Sequence, residues 1–561
     1  HVVGSVAGRQ APGGRSPSSR GDADGACRDC KIAFVDIGYP SGGLRLPDPI
    51  TNLMKAGSST DAELHCASWG VWYWYMDGYN DDERNIDHYL HQNPDYLVFV
   101  ATGNEGNHKR EDQETTIRGP GNAKNIVSVG SSQSMGPDLF DRMRGMDYLS
   151  DFSSRGPTPD GRMKPDVVAP GHHIYSARAR PSRTGECSGS DGHHHMAGTS
   201  MANPIVVGTA ALVREYFMEG YHPSGQRNGR DKLTPSGSLI KAVLMNGAQF
   251  LKGTDNGSRV TTIRPYDSNQ GFGRISMIDS LPLDRKNEIT MEIVDRKRIY
   301  NGQTDEIEVA IDKRGNGGNG GGCSYSDLSV TLVWADSLSL TSCKQCLNDD
   351  LDLIVIRMPD RKVYYPNGGY SRDGRNNAER VRTSTSHGDR FVIRVKAYDL
   401  SSQYQTYALS AVGCLGDPRP PEPTNEPTPA PTAFPKNIET TKTKYDLGES
   451  ITAVFANPNP TKNEFIAIYR SGVESGSGTV PFGTTDWAFS CGTKTCASSS
   501  NTKMVKKGRV KFDDGVNEEG DYRVFLLKDT EAPYQVIKKS RPFSVSKSSS
   551  SGVHTGIMFD V

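Results

Sequence analysis

Gly198-Thr199-Ser200-Met201-Ala202-Asn203-Pro204-Ile205-Val206-Val207-Gly208 opens the stretch on which the reading of this chain turns. Residues 201–217 are small and apolar on nearly every side, so they predict a helix buried all round rather than one with a wet face. Such a helix needs a sheet to lie on, and the residues upstream supply one. Residues 32–37, 96–101 and 126–129 are near-continuous apolar runs, the mark of strands buried on both faces. Helix-compatible segments such as 81–91 lie between them. This alternation predicts an α/β unit over residues 1–283, a doubly wound parallel sheet with helices on both faces. Ser200 then sits at a helix N-terminus, where unpaired N–H groups and the positive dipole end can stabilise an oxyanion on an attacked carbonyl. The same serine also reads as an ordinary helix cap.

Composition narrows the classes. The chain has 561 residues, enough for several domains, and Lys+Arg 65 against Asp+Glu 66 leaves a net charge of -1. It has no overall cationic field for nucleic acid or an anionic membrane, and no apolar run of 18 residues to span a bilayer. Gly 60 and Pro 33 predict many turns and long loops. The ten cysteines are even in number and spread along the chain, which leans toward an oxidising compartment, secreted or lumenal. Cys27/Cys30 and Cys343/Cys346 are C-x-x-C pairs, but neither has a partnering C-x-x-C or H-x-x-x-H at zinc-finger spacing, which disfavours both a zinc half-site and a redox dithiol. Cys491 and Cys496 bracket a short turn that suits a local disulfide, and Asn256-Gly257-Ser258 is a glycosylation sequon.

Near residue 284 the texture changes to period-two alternation, at 306–311, 328–334, 352–357 and 390–398, separated by turn-rich spacers such as 315–322. Residues 284–416 are therefore expected to form an antiparallel β-sandwich or jelly roll. Residues 417–436 hold too many prolines for a folded element and read as a semi-rigid spacer. Alternation returns at 450–456, 464–470 and 522–528, giving a second small β-sandwich over 437–546, and residues 547–561 read as a disordered, Ser-rich tail.

Ser200 does not stand alone. Phe152-Ser153-Ser154-Arg155-Gly156-Pro157, Lys164-Pro165-Asp166-Val167-Val168-Ala169-Pro170-Gly171, Ala101-Thr102-Gly103-Asn104-Glu105-Gly106 and Ser68-Trp69-Gly70 precede the Gly198 motif. In this order they resemble the subtilisin-like serine peptidases, the subtilase family, along residues 1–283. Leu347-Asn348-Asp349-Asp350-Leu351-Asp352-Leu353 and residues 364–369 look like segments of the jelly-roll domain that follows the peptidase in one branch of that family.

The resemblance implies roles. Ser200 matches the nucleophile and Asn104 the oxyanion-hole amide, which also follows a strand at the carboxyl edge of the sheet, where such folds hold ligands. The start His1-Val2-Val3-Gly4-Ser5-Val6-Ala7-Gly8 looks like the family's histidine helix, making His1 the general base. The family's aspartate precedes that histidine, and no residue precedes His1 here, so the chain reads as a piece of a longer precursor: the piece itself is expected to be severely impaired in catalysis, and the full-length parent to be the peptidase. Asp36 comes after the base and reads as the end of a later strand, and His65 lacks the Gly-Thr-His context of a base. Ser68, Trp69 and Gly70 look like the edge strand that pairs with extended peptide, and Ala101, Thr102 and Gly103 like a wall of the pocket for the side chain before the scissile bond. Trp69 reads equally as core.

After Ser200 the family usually runs M-A-T-P-H-V-A-G, so Asn203 and Ile205 are departures that bear on packing behind the nucleophile. His193-His194-His195 reads as a solvated loop. The chemistry needs no cofactor. Related peptidases often carry calcium, for which Asp349, Asp350 and Asp352 are candidate oxygen donors. The expected function is a serine endopeptidase acting on polypeptides. Its rival is a pseudopeptidase that binds partners through its β-domains, and glycan or surface binding by residues 437–546 is a further option.

Overall fold

The computed structural model describes residues 1–10, 21, 23–39, 43–70, 78–107, 115–134, 143–178, 192–255, 259–314, 322–358 and 360–416, with strands and some turns between 438 and 560. Contacts divide the chain into two compact units, one of residues 1–420 with 553–561 and one of residues 421–552. The Cys491–Cys496 pair, the sequon at Asn256 and the 417–436 spacer lie outside the described residues.

The first unit begins with α1 (Val2–Ala7), β1 (Lys31–Val35), α2 (Thr51–Ser58), β2 (Ala62–Ala67), α3 (Asp81–Gln92), β3 (Leu97–Ala101) and β4 (Val127–Ser132). It continues with β5 (Tyr148–Ser150), β6 (Val167–Pro170), β7 (Ile174–Ala177), β8 (His193–Met196), α4 (Thr199–Met218), α5 (Gly237–Asn246), β9 (Gly253–Asp255) and β10 (Val260–Thr262). β1, β2, β3, β4 and β6 run parallel in a nine-stranded sheet, while β5 and β10 add antiparallel pairs at its far side. β3 shows why its sequence is apolar throughout. Leu97 and Phe99 pack with Val206, Val207 and Ala210 of α4 on one face, and Val98 and Val100 pack with Leu53 of α2 and Ile86 and Leu90 of α3 on the other. The sheet is wound on both sides.

Residues 547–561, expected as a disordered tail, are corrected in part. Gly556–Asp560 forms a strand between β1 and β2, parallel to both, with Asp560 in register with Val35 and Ala67. A short apolar run, Ile557-Met558-Phe559, fills a slot whose two flanking strands each present a row of unpaired N–H and C=O groups. The serine-rich residues before it hide that run from a reading by composition.

Two antiparallel sheets follow. One has four strands in the order Thr290–Tyr300, Tyr404–Gly413, Asp327–Trp334, Ala378–Ser384, and the other has five, Lys362–Tyr364, Asp349–Arg357, Arg390–Leu400, Thr304–Ile311, Leu415–Gly416. Trp334, Leu351, Leu353, Ile393, Tyr407 and Leu409 share one core between them. Cys323 and Cys414 close a disulfide beside it. The texture changes at residue 284, but the packing does not break there: residues of α5 share a core with Val333, Ala378, Ala408 and Val412. Asn246, at the end of α5, accepts hydrogen bonds on Oδ1 from Ser329 Oγ at 2.9 Å and Thr331 Oγ1 at 2.8 Å.

A buried lysine fastens the same junction. Lys124 Nζ donates to Asp336 Oδ2 at 2.6 Å, Ser339 Oγ at 2.8 Å and the Cys346 carbonyl at 2.8 Å, with both charged side chains fully buried. The C-x-x-C pairs are neither metal half-sites nor open dithiols, because Cys27–Cys30 and Cys343–Cys346 are each closed as disulfides.

Residues 421–552 form a unit with its own core. Ile451–Ala456 pairs with Glu439–Thr440 and Lys507–Phe512, and a seven-stranded sheet is built around Gly520–Lys528 and Glu464–Arg470. Ile451, Phe455, Ile466, Ile468, Val524 and Leu526 bury against one another from both sheets.

Candidate active site

Ser200 lies in the first turn of α4, which rises from Gly198 beneath the carboxyl ends of β2 and β3. Its Oγ donates to the Ser68 carbonyl at 2.9 Å, and Ser68 Oγ donates back to the Ser200 carbonyl at 3.1 Å. The N–H groups of a helix's first turn have no intrahelical acceptor, so the Ser200 N–H faces the same open end.

Asn104 is carried to that end by the turn after β3. Its Oδ1 accepts the Thr199 N–H at 2.8 Å and Thr199 Oγ1 at 3.1 Å, while Thr199 Oγ1 in turn accepts the Gly103 N–H at 3.2 Å. Holding the oxygen this way orients the carboxamide, and Nδ2 is left as the donor that an oxyanion beside Ser200 would meet. The turn itself is held from below. Glu105 Oε2 accepts the Asn104 N–H at 3.0 Å and Ser154 Oγ at 3.2 Å, with Arg118 Nε at 3.4 Å. Gly103 has φ +106, and a Cβ there would stand 2.7 Å from Glu105 Oε2, so glycine is required for both backbone and space.

His1 caps α1 and sits beside the β7–β8 hairpin. Its Nε2 lies 2.9 Å from the Ile174 carbonyl and 3.1 Å from that of His194. Both partners only accept, so the proton is on Nε2, and Nδ1 is buried with no hydrogen-bond partner among the described residues. Ser200 and His1 are therefore not hydrogen-bonded to each other here. The histidine run 193–195 forms strand β8 paired to β7, not the irregular loop expected.

The other residues read as substrate contacts divide. Ser68 stands against Ser200. Trp69 is 9% exposed and packs with Leu53, Ile86 and Tyr89, so its indole is core, while Gly70 is exposed. Ala101 and Thr102 are buried, and Thr102 Oγ1 donates to the Val129 carbonyl at 3.2 Å, inside the sheet. Gly103, half-buried, is the member of that trio at the site. Asp36 Oδ1 accepts the Gly38 N–H at 2.8 Å, and His65 is fully buried with Nδ1 3.2 Å from Tyr96 Oη. Neither touches Ser200 or His1. The orienting roles of Thr199, Glu105 and Arg118 were not legible beforehand: Thr199 is inside the quoted motif, but nothing in a linear pattern shows that its hydroxyl ties the first turn of α4 to the turn after β3.

Asp349, Asp350 and Asp352 part company. Asp349 Oδ1 accepts Ser401 Oγ at 3.1 Å and the Ser402 N–H at 3.0 Å. Asp350 and Asp352 instead lie near Glu379 and Asp373. Burial, then the neighbouring Asp350, lifts the Asp352 carboxyl to about 6, and burial holds Glu379 well above the ordinary range. Asp350 Oδ1, Asp352 Oδ1 and Glu379 Oε1 are buried with no hydrogen-bond partner among the described residues. Unpartnered carboxylate oxygens suit a hard cation, but among the described residues no three His, Cys, Asp or Glu side chains converge on one point.

The Peptidase_S8 model, the subtilase family, matches residues 1–273. The "Serine protease/ABC transporter B family protein tagD" of Dictyostelium discoideum is 26% identical over 475 residues, 66% of this chain and 25% of that protein. "Serine protease AprX" of Bacillus subtilis is 32% identical over 252 residues, 38% of this chain and 50% of that one. Pyrolysin of Pyrococcus furiosus is 31% identical over 239 residues, 39% of this chain and 15% of that one. The chain spans about a quarter of the length of the first of these relatives.

Proposed function

The domain over residues 1–273 belongs to the subtilase family, and from that premise we propose that the chain is part of a serine endopeptidase acting on polypeptides. One observation carries the reading: at the open end of α4, Ser200 and the oriented Asn104 carboxamide flank one point, linked through Thr199.

In the proposed reaction Ser200 Oγ attacks the scissile carbonyl and its proton passes to His1 Nε2. The imidazole must first leave the Ile174 and His194 carbonyls and lose the Nε2 proton in favour of Nδ1. The oxyanion is met by Asn104 Nδ2 and the Ser200 N–H. His1 then protonates the leaving amine, and water releases the acyl group from Ser200 by the same route. A carboxylate on His1 Nδ1 would favour that tautomer and stabilise the imidazolium; no described residue is bonded to that atom. Extended peptide would pair along Ser68 to Gly70, with Ala101 to Gly103 as the facing wall. Calcium has no part in these steps; a structural ion with Asp349, Asp350 and Asp352 as its candidate donors is a separate proposal, and Asp350 is already ion-paired to Arg372.

Three disulfides among the described residues support a secreted or lumenal setting. No helix among those residues is long and apolar enough to cross a membrane. Glycan or surface binding is proposed for residues 437–546 and is tested by a glycan screen.

The test of the peptidase reading is labelling by a fluorophosphonate together with casein hydrolysis, for the full-length parent and its Ser200→Ala variant. Labelling and cleavage that vanish in S200A support it; unchanged cleavage in S200A overturns it. The second reading, a pseudopeptidase that binds partners, is favoured by the engagement of His1 with the β7–β8 hairpin instead of Ser200. It predicts an unlabelled full-length parent.

A further inference from the structure

Asn203 stands three residues beyond Ser200 in α4 and its side chain is fully buried. Nδ2 lies 3.1 Å from the Ala67 carbonyl, 3.2 Å from the Phe99 carbonyl, 3.4 Å from Ser68 Oγ and 3.5 Å from Cys66 Sγ. Carbonyl oxygens only accept, so the two backbone contacts fix which way the carboxamide is turned. Oδ1 is thereby left buried with no hydrogen-bond partner among the described residues. Such an orphan is ordinarily destabilising and asks for a reason.

The reason lies in what the nitrogen spans. Ala67 ends β2 and Phe99 is in the adjacent β3, so one side chain of α4 joins two neighbouring strands near their carboxyl ends and ties both to the helix. A hydroxyl at this position has one proton and reaches one carbonyl at a time. The next carbonyl along from Ala67 is that of Ser68, which receives the Ser200 hydroxyl. The acceptor that sets the direction of the nucleophile is thus one peptide from a group Asn203 holds.

We infer that Asn203 is a positioning residue for Ser200, fixing the Ala67–Ser68 peptide relative to α4 and so the place of the nucleophile's oxygen. The inference rests on the serine-peptidase reading and adds to it a residue that does not touch substrate.

The experiment compares the full-length parent with its Asn203→Ala, Asn203→Asp and Asn203→Thr variants. It measures the second-order rate of fluorophosphonate labelling per folded molecule across pH, with the folded fraction taken from circular dichroism melts. N203A and N203D are expected to label at least ten-fold more slowly than wild type. N203T, which keeps one donor, should recover part of the rate, and the pH midpoint should stay in place because the base is unaltered. N203T also serves where the aspartate, which turns a carboxylate onto two carbonyls, does not fold. Variants that melt lower but label at the wild-type rate per folded molecule would reduce Asn203 to a packing role and overturn the inference, leaving the peptidase reading intact. A full-length parent that does not label overturns the peptidase reading and the inference with it.

Discussion

Ser68 and Ser200 are bonded to each other twice: the hydroxyl of each donates to the backbone carbonyl of the other, at 2.9 Å from Ser200 and 3.1 Å from Ser68. The pair joins the end of β2 to the first turn of α4, across 132 residues of sequence. In the proposed reaction the Ser200 half of this exchange must open for attack, while the Ser68 half can stay and hold the first turn.

Ser68→Ala keeps the carbonyl that receives Ser200 Oγ and removes only the returned bond. A partly buried neutral hydrogen bond is worth about 0.5–1.5 kcal/mol, so fluorophosphonate labelling of S68A should fall by less than about ten-fold. A fall as large as that of S200A would mean that the Ser68 hydroxyl takes part in the chemistry.

Asn104→Ala removes the side-chain donor proposed for the oxyanion and also the acceptor of Thr199. The rate of casein hydrolysis should drop by roughly 10²–10³ with little change in KM, a magnitude known from a subtilase's own oxyanion asparagine rather than obtained from this geometry. Thr199→Val should produce a smaller loss, because it frees the carboxamide to turn without deleting it. A raised KM with kcat unchanged in N104A would place Asn104 in ground-state binding instead.

The Lys124–Asp336 pair is fully buried and joins the α/β sheet to the antiparallel sheets that follow it, so removing one partner strands the other charge. Lys124→Met and Asp336→Asn are each expected to destabilise by about 3–5 kcal/mol. Lys124→Met with Asp336→Leu should recover part of that loss, since the pair is then replaced by apolar groups. Denaturant titration measures all three, and additive losses in the double variant would show that the two side chains are not coupled.

Asp352 and Glu379 titrate above the ordinary carboxylate range when folded, so the folded chain binds more protons than the unfolded one. Their contribution therefore rises as pH falls from about 6 toward the ordinary value near 4, and is lost on the way back up. Thermal melts should show this part of the first unit gaining stability between pH 7 and pH 5, and Asp352→Asn should flatten the gain. At pH 7, added calcium should raise Tm in the wild-type chain and less in D352N. A Tm indifferent to calcium would remove the structural-ion proposal while leaving the acid stabilisation standing.

Much of the fold was legible because it rests on local periodicity. The helix after Ser200 and the apolar strands 97–101 and 127–132 announce burial on both faces in their own composition, and period-two alternation marks the strands after residue 284. The places of Ser200, at the start of a helix, and of Asn104, after a strand, were legible as well, while the roles proposed for them come from the family resemblance. Where reading by composition went astray, the relevant contact was with something distant. The tail looked disordered until the slot between β1 and β2 was seen, and Asn203 looked like a flaw in packing until its two carbonyl partners were placed.

Sequence by itself therefore determined which segments are strands, which helix is buried, and which serine stands at the open end of that helix, because backbone dihedrals and face-to-face alternation are set by neighbours along the chain. Tertiary structure alone decided that His1 is engaged by the β7–β8 hairpin, that the C-x-x-C pairs close on themselves, that α5 shares a core with the antiparallel sheets, and that one amide staples two strands behind Ser200. Those outcomes depend on how donors, acceptors and apolar faces from remote parts of the chain meet within a few ångströms, and no local pattern encodes that meeting.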